Sequence, residues 1–112
     1  MSHMKPAVSI LIPTWNNPQF LNPCIDSIIG TNALNGLAEL VIVNNGSQPI
    51  KDYVKGVQNI RVLEPGKNLG WERGLQYGLD NTDSEFVCFQ NDDTLIPRAT
   101  QTFYDQLLWP FN

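Results

Sequence analysis

Four short apolar runs recur along the chain and predict four β-strands. They cover residues 7–12, 39–43, 59–63 and 85–90. Runs of this length, rich in β-branched and aromatic residues, are typical of strands buried in a sheet. The first strand is expected to stop at Pro13, because proline has no backbone N–H to donate. The fourth, built on Phe86–Phe89, is expected to be buried.

Apolar residues at helical spacing predict four helices between and after these runs, over residues 19–29, 50–55, 69–80 and 97–109. In the first helix, Asn22 is predicted to cap a restart with Pro23 at its first helical position. The third helix is expected to turn one apolar face to the core. That face would hold Trp71, Leu75, Gly78 and Leu79. Glycine also recurs there every four residues, at Gly70, Gly74 and Gly78, so the helix can approach the sheet or a ligand closely.

The alternation of strands and helices predicts an α/β fold. We expect a doubly wound, mainly parallel, four-stranded sheet with helices on both faces. Right-handed crossovers favour the strand order 3-2-1-4, which is Rossmann-like. In such sheets ligands bind where the strand order reverses, here between the first and fourth strands. A single domain is expected over residues 5–112, because Met1–Met4 looks like an expression-tag remnant.

Composition and charge remove several classes of function. The net charge of −4 and the lack of a basic cluster argue against nucleic-acid binding. No apolar run approaches the ~18 residues that a membrane span needs. The one histidine, His3, lies in the tag remnant. Cys24 and Cys88 fit no zinc spacing and are expected to be free thiols, which favours a cytoplasmic setting.

Asn91-Asp92-Asp93 follows the fourth strand directly and is the main candidate for chemistry. Neighbouring carboxylates repel each other, so a cation is expected to neutralise them. Mg²⁺ is held in many proteins by one or two carboxylates and the phosphates of a substrate. A solvated acidic turn is the alternative interpretation.

Two further strand ends carry polar side chains. Thr14 follows the first strand and could offer its hydroxyl to a base or ribose, although an ordinary strand-to-helix turn explains it equally. Asn44 ends the second strand and could pair with a nucleobase edge, although Asn45-Gly46 is also strong turn chemistry. Lys67-Asn68 could meet a phosphate at a helix N-terminus or be solvated.

The order of these segments resembles one known family. The segments are Val8–Asn16, Glu39–Ser47, Lys67–Trp71 and Phe89–Thr94. Together they are similar to the donor-binding N-terminal half of a family 2 glycosyltransferase with the GT-A fold. The resemblance covers about residues 7–108.

The resemblance implies a nucleotide-diphospho-sugar donor bound with Mg²⁺ or Mn²⁺. Asp93 would be the metal ligand of an Asp-x-Asp-like motif, with Asn91 as a weaker second ligand. Asp92 would neighbour the ribose or diphosphate, and Asn44 would contact the base. The other residues expected to bind the nucleotide-sugar are Pro13, Thr14, Asn16, Asn68, Gly70 and Arg73.

Two departures from the family pattern bear on function. Asparagine stands where the family usually has aspartate at Asn44 and Asn91, which weakens the expected hold on a metal. After Asp93 the sequence holds one carboxylate, Asp105, so no catalytic base is identified. We therefore expect the chain to lack the acceptor half and, alone, to transfer sugar weakly or not at all.

Two alternatives and one association state stay open. A non-catalytic module that binds a nucleotide or a partner protein is the first alternative. A phospho-receiver domain is the second, but its strand-end aspartate and lysine are missing, because Asn44 and Leu63-Glu64 stand there. A homodimer is also expected, since a missing half would leave sheet edge or apolar surface open. Trp71, Trp109 and Phe111 are the aromatic residues that could be exposed.

Overall fold

The computed structural model of the chain describes residues 6–96, which form four strands and three helices. In chain order these are β1 Val8–Thr14, α1 Pro18–Ile29, β2 Ala38–Asn44, α2 Ile50–Tyr53, β3 Ile60–Leu63, α3 Gly70–Asp80 and β4 Phe86–Phe89. The predicted helix over 97–109 and the tag remnant lie outside the described residues. In the part that is described, no helix is long and apolar enough to cross a membrane.

The four strands form one parallel sheet in the order β3-β2-β1-β4. This confirms the predicted architecture and strand order. β1 pairs with β2 from Val8 opposite Ala38 to Thr14 opposite Asn44. The two central strands are almost wholly buried, whereas β3 and β4 are half-buried or exposed. The carboxyl ends of β1 and β4 therefore meet beside the centre of the sheet.

The hydrophobic core lies on one side of the sheet, which we call the closed face. Alternate residues of the central strands, including Ile10 and Ile42, pack there and are inaccessible to solvent. α1 covers them with Leu21, Cys24, Ile25 and Ile28, and α2 adds Ile50. Because side chains alternate along a strand, the intervening residues point to the other side.

The other side, which we call the open face, is covered by α3 at very short range. A Cβ added to Gly78 would lie 3.2 Å from Val43 Cγ2 and 3.3 Å from Leu11 Cδ1. The glycine stripe thus brings the helix onto the sheet, as expected. Leu79 is 39% exposed, so the expected apolar face of α3 is not buried throughout. Trp71 is 47% exposed, in agreement with the expectation that it could be an exposed aromatic residue.

A polar network crosses the open face at its amino end. Ser9 Oγ donates to Glu39 Oε2 at 2.6 Å, and Ser84 Oγ lies 2.6 Å from Ser9 Oγ. Arg61 donates hydrogen bonds to the same carboxylate from Nε at 3.0 Å and from Nη2 at 3.2 Å. Arg61 Nη2 also donates to the carbonyl oxygen of Asn81, just past α3. The network ties three strands to the end of the helix.

β4 is less buried than its sequence predicts. Phe86 and Cys88 pack against the closed-face core, but Val87 is only half-buried and Phe89 is 52% exposed. The fully apolar sequence suggested burial on both faces, and that part of the prediction is wrong. Within residues 6–96, β4 has a neighbour, β1, on one edge only, and α3 covers β1 and β2 rather than β4.

Two predictions about proline are also wrong. β1 does not stop at Pro13 but continues to Thr14. The carbonyl of Leu11 accepts a bond from β4 and that of Thr14 accepts one from β2, so bonds alternate between the neighbours. The nitrogen of Pro13 therefore faces the β4 side, where β4 has already ended at Phe89, and no ladder bond is lost.

α1 does not restart at Asn22. It is one helix with Asn17 at the N-cap and Pro18 at its first position. Pro23 lies inside the helix on an exposed position. The helix tolerates the missing N–H there because its buried face, with residues on either side of Pro23, holds both halves on the core.

Candidate functional site

The loops after β1 and β4 are joined by a half-buried carboxylate contact. Thr14 Oγ1 donates to Asp92 Oδ2 at 2.8 Å, and Asn17 Nδ2 donates to the same oxygen at 3.3 Å. The backbone N–H of Gln90 bonds to the carbonyl of Leu11, which sets the register that brings these loops together. The predicted meeting of these two loops at the switch point is what the structure shows.

The loop after β2 holds the start of α3. Asn45 Nδ2 donates to the carbonyl of Gly70 at 3.1 Å, and Asn45 Oδ1 accepts from Leu69 N at 3.1 Å. Asn68 Oδ1 accepts from Gly70 N at 2.9 Å. Gly70 has a φ of +78°, a conformation that favours glycine. The N-terminus of α3 is therefore fixed beside the ends of β1 and β2.

These contacts enclose a cleft of about 320 Å³, which we call the front cleft. Five residues predicted from the sequence line it, namely Pro13, Thr14, Asn68, Gly70 and Asp92. Three lining residues were missed, namely Trp15, Asn45 and Trp71. Trp15 is 58% exposed, and its place one residue after Thr14 was the signal that could have identified it.

Asn44 and Arg73 are placed away from the front cleft. Asn44 is 4% exposed, with its Oδ1 accepting from Gly46 N and its Nδ2 donating to the carbonyl of Gln48. Its amide thus closes a local turn, and it is absent from the cleft lining. Arg73 is exposed on α3 and is not among the lining residues either.

Asn91 and Asp93 flank Asp92 and are both exposed. Within residues 6–96 no group of three acidic, histidine or cysteine side chains is placed to hold a metal ion. The nearby oxygen donors are the Asp93 carboxylate and the Asn91 amide, which suit a hard divalent cation. Such a set fits a cation that takes its other ligands from a bound diphosphate.

The loops after β1 and β2 interlock beside the front cleft. Asn16 Oδ1 accepts from Ser47 N at 2.8 Å, and Asn16 has a φ of +46°. A Cβ on Gly46 would lie 2.9 Å from the backbone nitrogen of Asn16 and would overlap its side chain. The absence of a side chain at Gly46 is therefore required by this contact.

A second cavity, which we call the side pocket, lies between the loop after β1, the start of α1, and α2. Its volume is about 360 Å³, and its lining includes Thr14, Leu21, Ile50 and Tyr53. Asn16, which was predicted to bind the nucleotide, lines this pocket rather than the front cleft.

The charged side chains that line the two cavities are acidic. Among residues 6–96, Asp92 lines the front cleft and Asp52 lines the side pocket, and no lysine or arginine lines either. On α1, burial and then the negative charge of Asp92 raise the pKa of Cys24 to about 11. Cys24 therefore stays a neutral thiol at physiological pH.

Comparison with known proteins gives a consistent result. A family model described as glycosyl transferase family 2 matches residues 9–102. Glycosyltransferase GlyA of Streptococcus pneumoniae is 27% identical over 107 residues, which cover 90% of this chain and 15% of that protein. The uncharacterized glycosyltransferase EpsJ of Bacillus subtilis is 29% identical over 101 residues, covering 86% of this chain and 28% of the relative.

Solved structures show the same fold. The mannosyltransferase PcManGT of Pyrobaculum calidifontis, solved with GDP-Man and Mn²⁺, superposes with a TM-score of 0.81 at 20% identity. That match covers 98% of this chain and 34% of PcManGT. Residues 1–349 of S. aureus TarS, solved with UDP, give a TM-score of 0.77 at 20% identity over 96% of this chain and 32% of that one. The chain thus spans about a third or less of the proteins it matches.

Proposed function

The chain belongs to glycosyl transferase family 2, and we propose that its front cleft binds a nucleotide-diphospho-sugar together with a divalent cation. The observation that carries the proposal is the bond from Thr14 to Asp92, supported by Asn17. It fixes one carboxylate of the acidic motif at the cleft wall before any ligand arrives. A fixed carboxylate suits a ribose hydroxyl or the environment of a diphosphate.

We assign the cation to Asp93 and Asn91, whose oxygen donors are exposed beside the cleft. The described residues offer too few ligands for a metal site made of protein alone, and the diphosphate would complete it. When bound, the cation would neutralise the diphosphate and stabilise the departing nucleotide as a Lewis acid. Mg²⁺ or Mn²⁺ fits this donor set, and a similar fold was solved with Mn²⁺.

For the base, the geometry favours residues other than Asn44, whose amide is occupied within its own turn. Trp15 lines the front cleft with its ring 58% exposed and can act as a stacking platform. Asn45 lines the same wall and holds α3 in place. We therefore propose Trp15 as the base-side residue, on a wall that Asn45 positions by holding the start of α3.

We propose glycosyl transfer as the activity of the full machinery, with the acceptor unidentified. Within this sequence Asp105 is the one carboxylate after Asp93, so weak or no transfer by the 112-residue chain alone remains our prediction. Cys24 and Cys88 are free thiols, and we propose a reducing, cytoplasmic setting on that ground.

Calorimetric titration with nucleotides tests donor binding. GDP and UDP come first, because structures of similar fold hold GDP-Man and UDP. We expect binding with Mn²⁺ that is lost or weakened at least ~10-fold without it. Asp93→Ala should abolish the effect of Mn²⁺, whereas Asp80→Ala should not. Asp80 is the matched control, because it is an exposed carboxylate at the C-terminal end of α3, about 15 Å along the helix axis from Gly70.

Trp15 provides a second arm of the same titration. Trp15→Ala should weaken nucleotide binding about 5- to 100-fold, while Trp15→Phe should keep most of it, because one stacked base contributes ~1–3 kcal/mol. Phe20→Ala controls for loss of an exposed aromatic residue, since Phe20 is 52% exposed and lines neither cavity. If the folded chain binds no nucleotide with or without Mn²⁺, the non-catalytic interaction module becomes the better assignment.

A further inference from the structure

The side pocket is a second concave site that the proposed donor binding does not use. It shares Thr14 with the front cleft and otherwise has its own lining. We propose that the side pocket binds an uncharged aromatic or heteroaromatic ring of a small molecule, and that this ring contacts the side chains that hold Asp92.

The shape and polarity of the side pocket suit a single ring system. Its volume of about 360 Å³ falls in the lower range of small-molecule sites, which run from about 300 to 1,000 Å³. Leu21 and Ile50 lie in the lining and are 2% and 6% exposed, so the deepest surface is apolar and rigid. Pro18 and Pro49 add two stiff apolar walls. A flat ring buries apolar area there without ordering flexible side chains.

One wall of the side pocket is already oriented. Tyr53 lies in the lining with 44% of its surface exposed, and its hydroxyl donates to Asp26 Oδ1 and Oδ2 at 2.9 and 3.0 Å. This bond raises the pKa of Tyr53 above its ordinary value. The aromatic face is thus held in place before a ligand arrives, and offset stacking of a second ring on it is favourable.

The charges of the lining select against anions. Of the described part of the chain, Asp52 is the one charged side chain that lines the side pocket. A phosphate or carboxylate would therefore meet repulsion and no cation. The amides of Asn22 and Gln48 instead supply hydrogen-bond donors and acceptors for the polar edge of a neutral ring. These features favour an uncharged ring with at least one polar edge.

The lining of the side pocket includes the two side chains that hold Asp92 in place. Thr14 and Asn17 line the pocket, and both donate hydrogen bonds to Asp92 Oδ2. A ring in the pocket therefore packs against Thr14 and Asn17, the two side chains that donate hydrogen bonds to the Asp92 carboxylate. This relation needs no bound nucleotide, so its test is independent of the proposed function.

Titration of the isotope-labelled chain with indole, followed by NMR, tests the inference. We expect saturable shifts of Gln48, Tyr53 and Asn17 amides with a dissociation constant of about 1 mM, as suits a ligand of nine non-hydrogen atoms. The side-chain carboxyl carbon of Asp92 should shift with the same constant. Indole-3-carboxylate should bind more weakly than indole. Shifts confined to the front cleft, equal binding of the anion, or an unmoved Asp92 carboxyl would overturn the corresponding part of the proposal.

Three variants separate the pocket from non-specific binding. Tyr53→Ala should weaken indole binding about 3- to 10-fold by removing the stacking wall. Tyr53→Phe keeps the ring, loses the bonds to Asp26, and should retain most of the binding. Phe20→Ala removes an exposed aromatic residue elsewhere on α1 and should change nothing. If Tyr53→Ala, shown by its spectrum to be folded, binds indole as the unmodified chain does, the pocket is not the site.

Discussion

The two faces of the sheet are built in different ways, although they share the same strands. The closed face is a continuous apolar cluster in which Ile10, Ile25 and Ile42 are fully buried. The open face combines a helix seated on glycines, a polar network around Glu39, and the exposed ring of Phe89. We therefore expect the closed face to contribute most of the free energy of unfolding. The loops that carry the candidate chemistry follow the carboxyl ends of the strands, which the two faces share.

The largest effect should come from truncating the closed face at its centre. Ile42→Ala removes buried methyl groups from a side chain with no solvent exposure and leaves a cavity between β2 and the helices that cover it. We expect a loss of about 2–5 kcal/mol in the free energy of unfolding, measured by urea denaturation. A loss below about 1 kcal/mol would mean that the closed face is not the stable half of the molecule.

The interlocked loops should be next in sensitivity. Gly46→Ala forces a Cβ into the backbone and side chain of Asn16, so we expect a loss of about 1–3 kcal/mol. Gly30→Ala is the matched control. Its φ is −64°, and its nearest contacts to a Cβ would be 3.4 and 3.5 Å. That change should be neutral or stabilising by up to about 1 kcal/mol. Equal effects of the two substitutions would contradict the interlock.

The β4 edge of the open face should tolerate truncation. Phe89→Ala removes a ring that is 52% exposed, and we expect a loss of about 1 kcal/mol or less in the same denaturation experiment. A loss as large as that of Ile42→Ala would show that the two faces do not differ as described.

Substitution of Phe89 also tests the predicted homodimer. Phe89 lies on edge strand β4, with Trp71 also exposed on α3 and Leu95 exposed after the strand. If copies of the chain associate through this surface, Phe89→Asp should shift sedimentation from dimer to monomer. Phe20→Asp, on the opposite side of the sheet, should not. A monomeric unmodified chain at ~100 μM would rule out a dimer of biologically useful strength.

The smallest expected effect concerns the thiol buried under the closed face. Burial raises the pKa of Cys24 from 9.0 to about 11. Between these values the unfolded chain has lost the proton that the folded chain keeps, so stability falls as pH rises from 9 to 11. Below pH 9 the contribution is fully present. The difference in urea midpoint between the unmodified chain and Cys24→Ala should therefore become less favourable to Cys24 at pH 10.5 than at pH 7.5.

The sequence predicts the architecture well because the period and length of the apolar runs separate strands from helices. The strand order follows from alternation and crossover handedness, and the structure confirms it. Pro13 was misjudged because the cost of a missing N–H depends on which neighbour it faces, which is a property of the folded sheet. The restart at Asn22 was misjudged because packing on the core holds α1 together on both sides of Pro23. The exposure of Phe89 also escaped prediction, since an apolar edge strand and an apolar central strand read alike.

The site divides in the same way. The approach of Thr14 to Asp92 follows from strand ends meeting at one edge, and it was predicted. The different placement of Asn44 and Asn45 was not predicted, because adjacent residues at a strand end point to opposite sides. The Asn44 amide closes a turn, whereas the Asn45 amide holds the start of α3 at the cleft wall, and which residue does which depends on where the strand stops. The role of Asn17 rests on its place at the N-cap position of α1, where its side chain makes no cap bond and donates to Asp92, and the predicted restart obscured that position.

The bond from Thr14 to Asp92 also limits what kind of ligand atom can sit beside that hydroxyl. A threonine hydroxyl has a single hydrogen, and here that hydrogen points to the carboxylate. The lone pairs of the Thr14 hydroxyl oxygen remain toward the front cleft, and they can accept a hydrogen bond but cannot donate one. A ligand therefore has to bring its own hydrogen to this position, as an alcohol or an amine does. Ligand analogues in which fluorine or a methyl ether replaces the donating hydroxyl should therefore bind more weakly at this position, although the threonine side chain carries no charge.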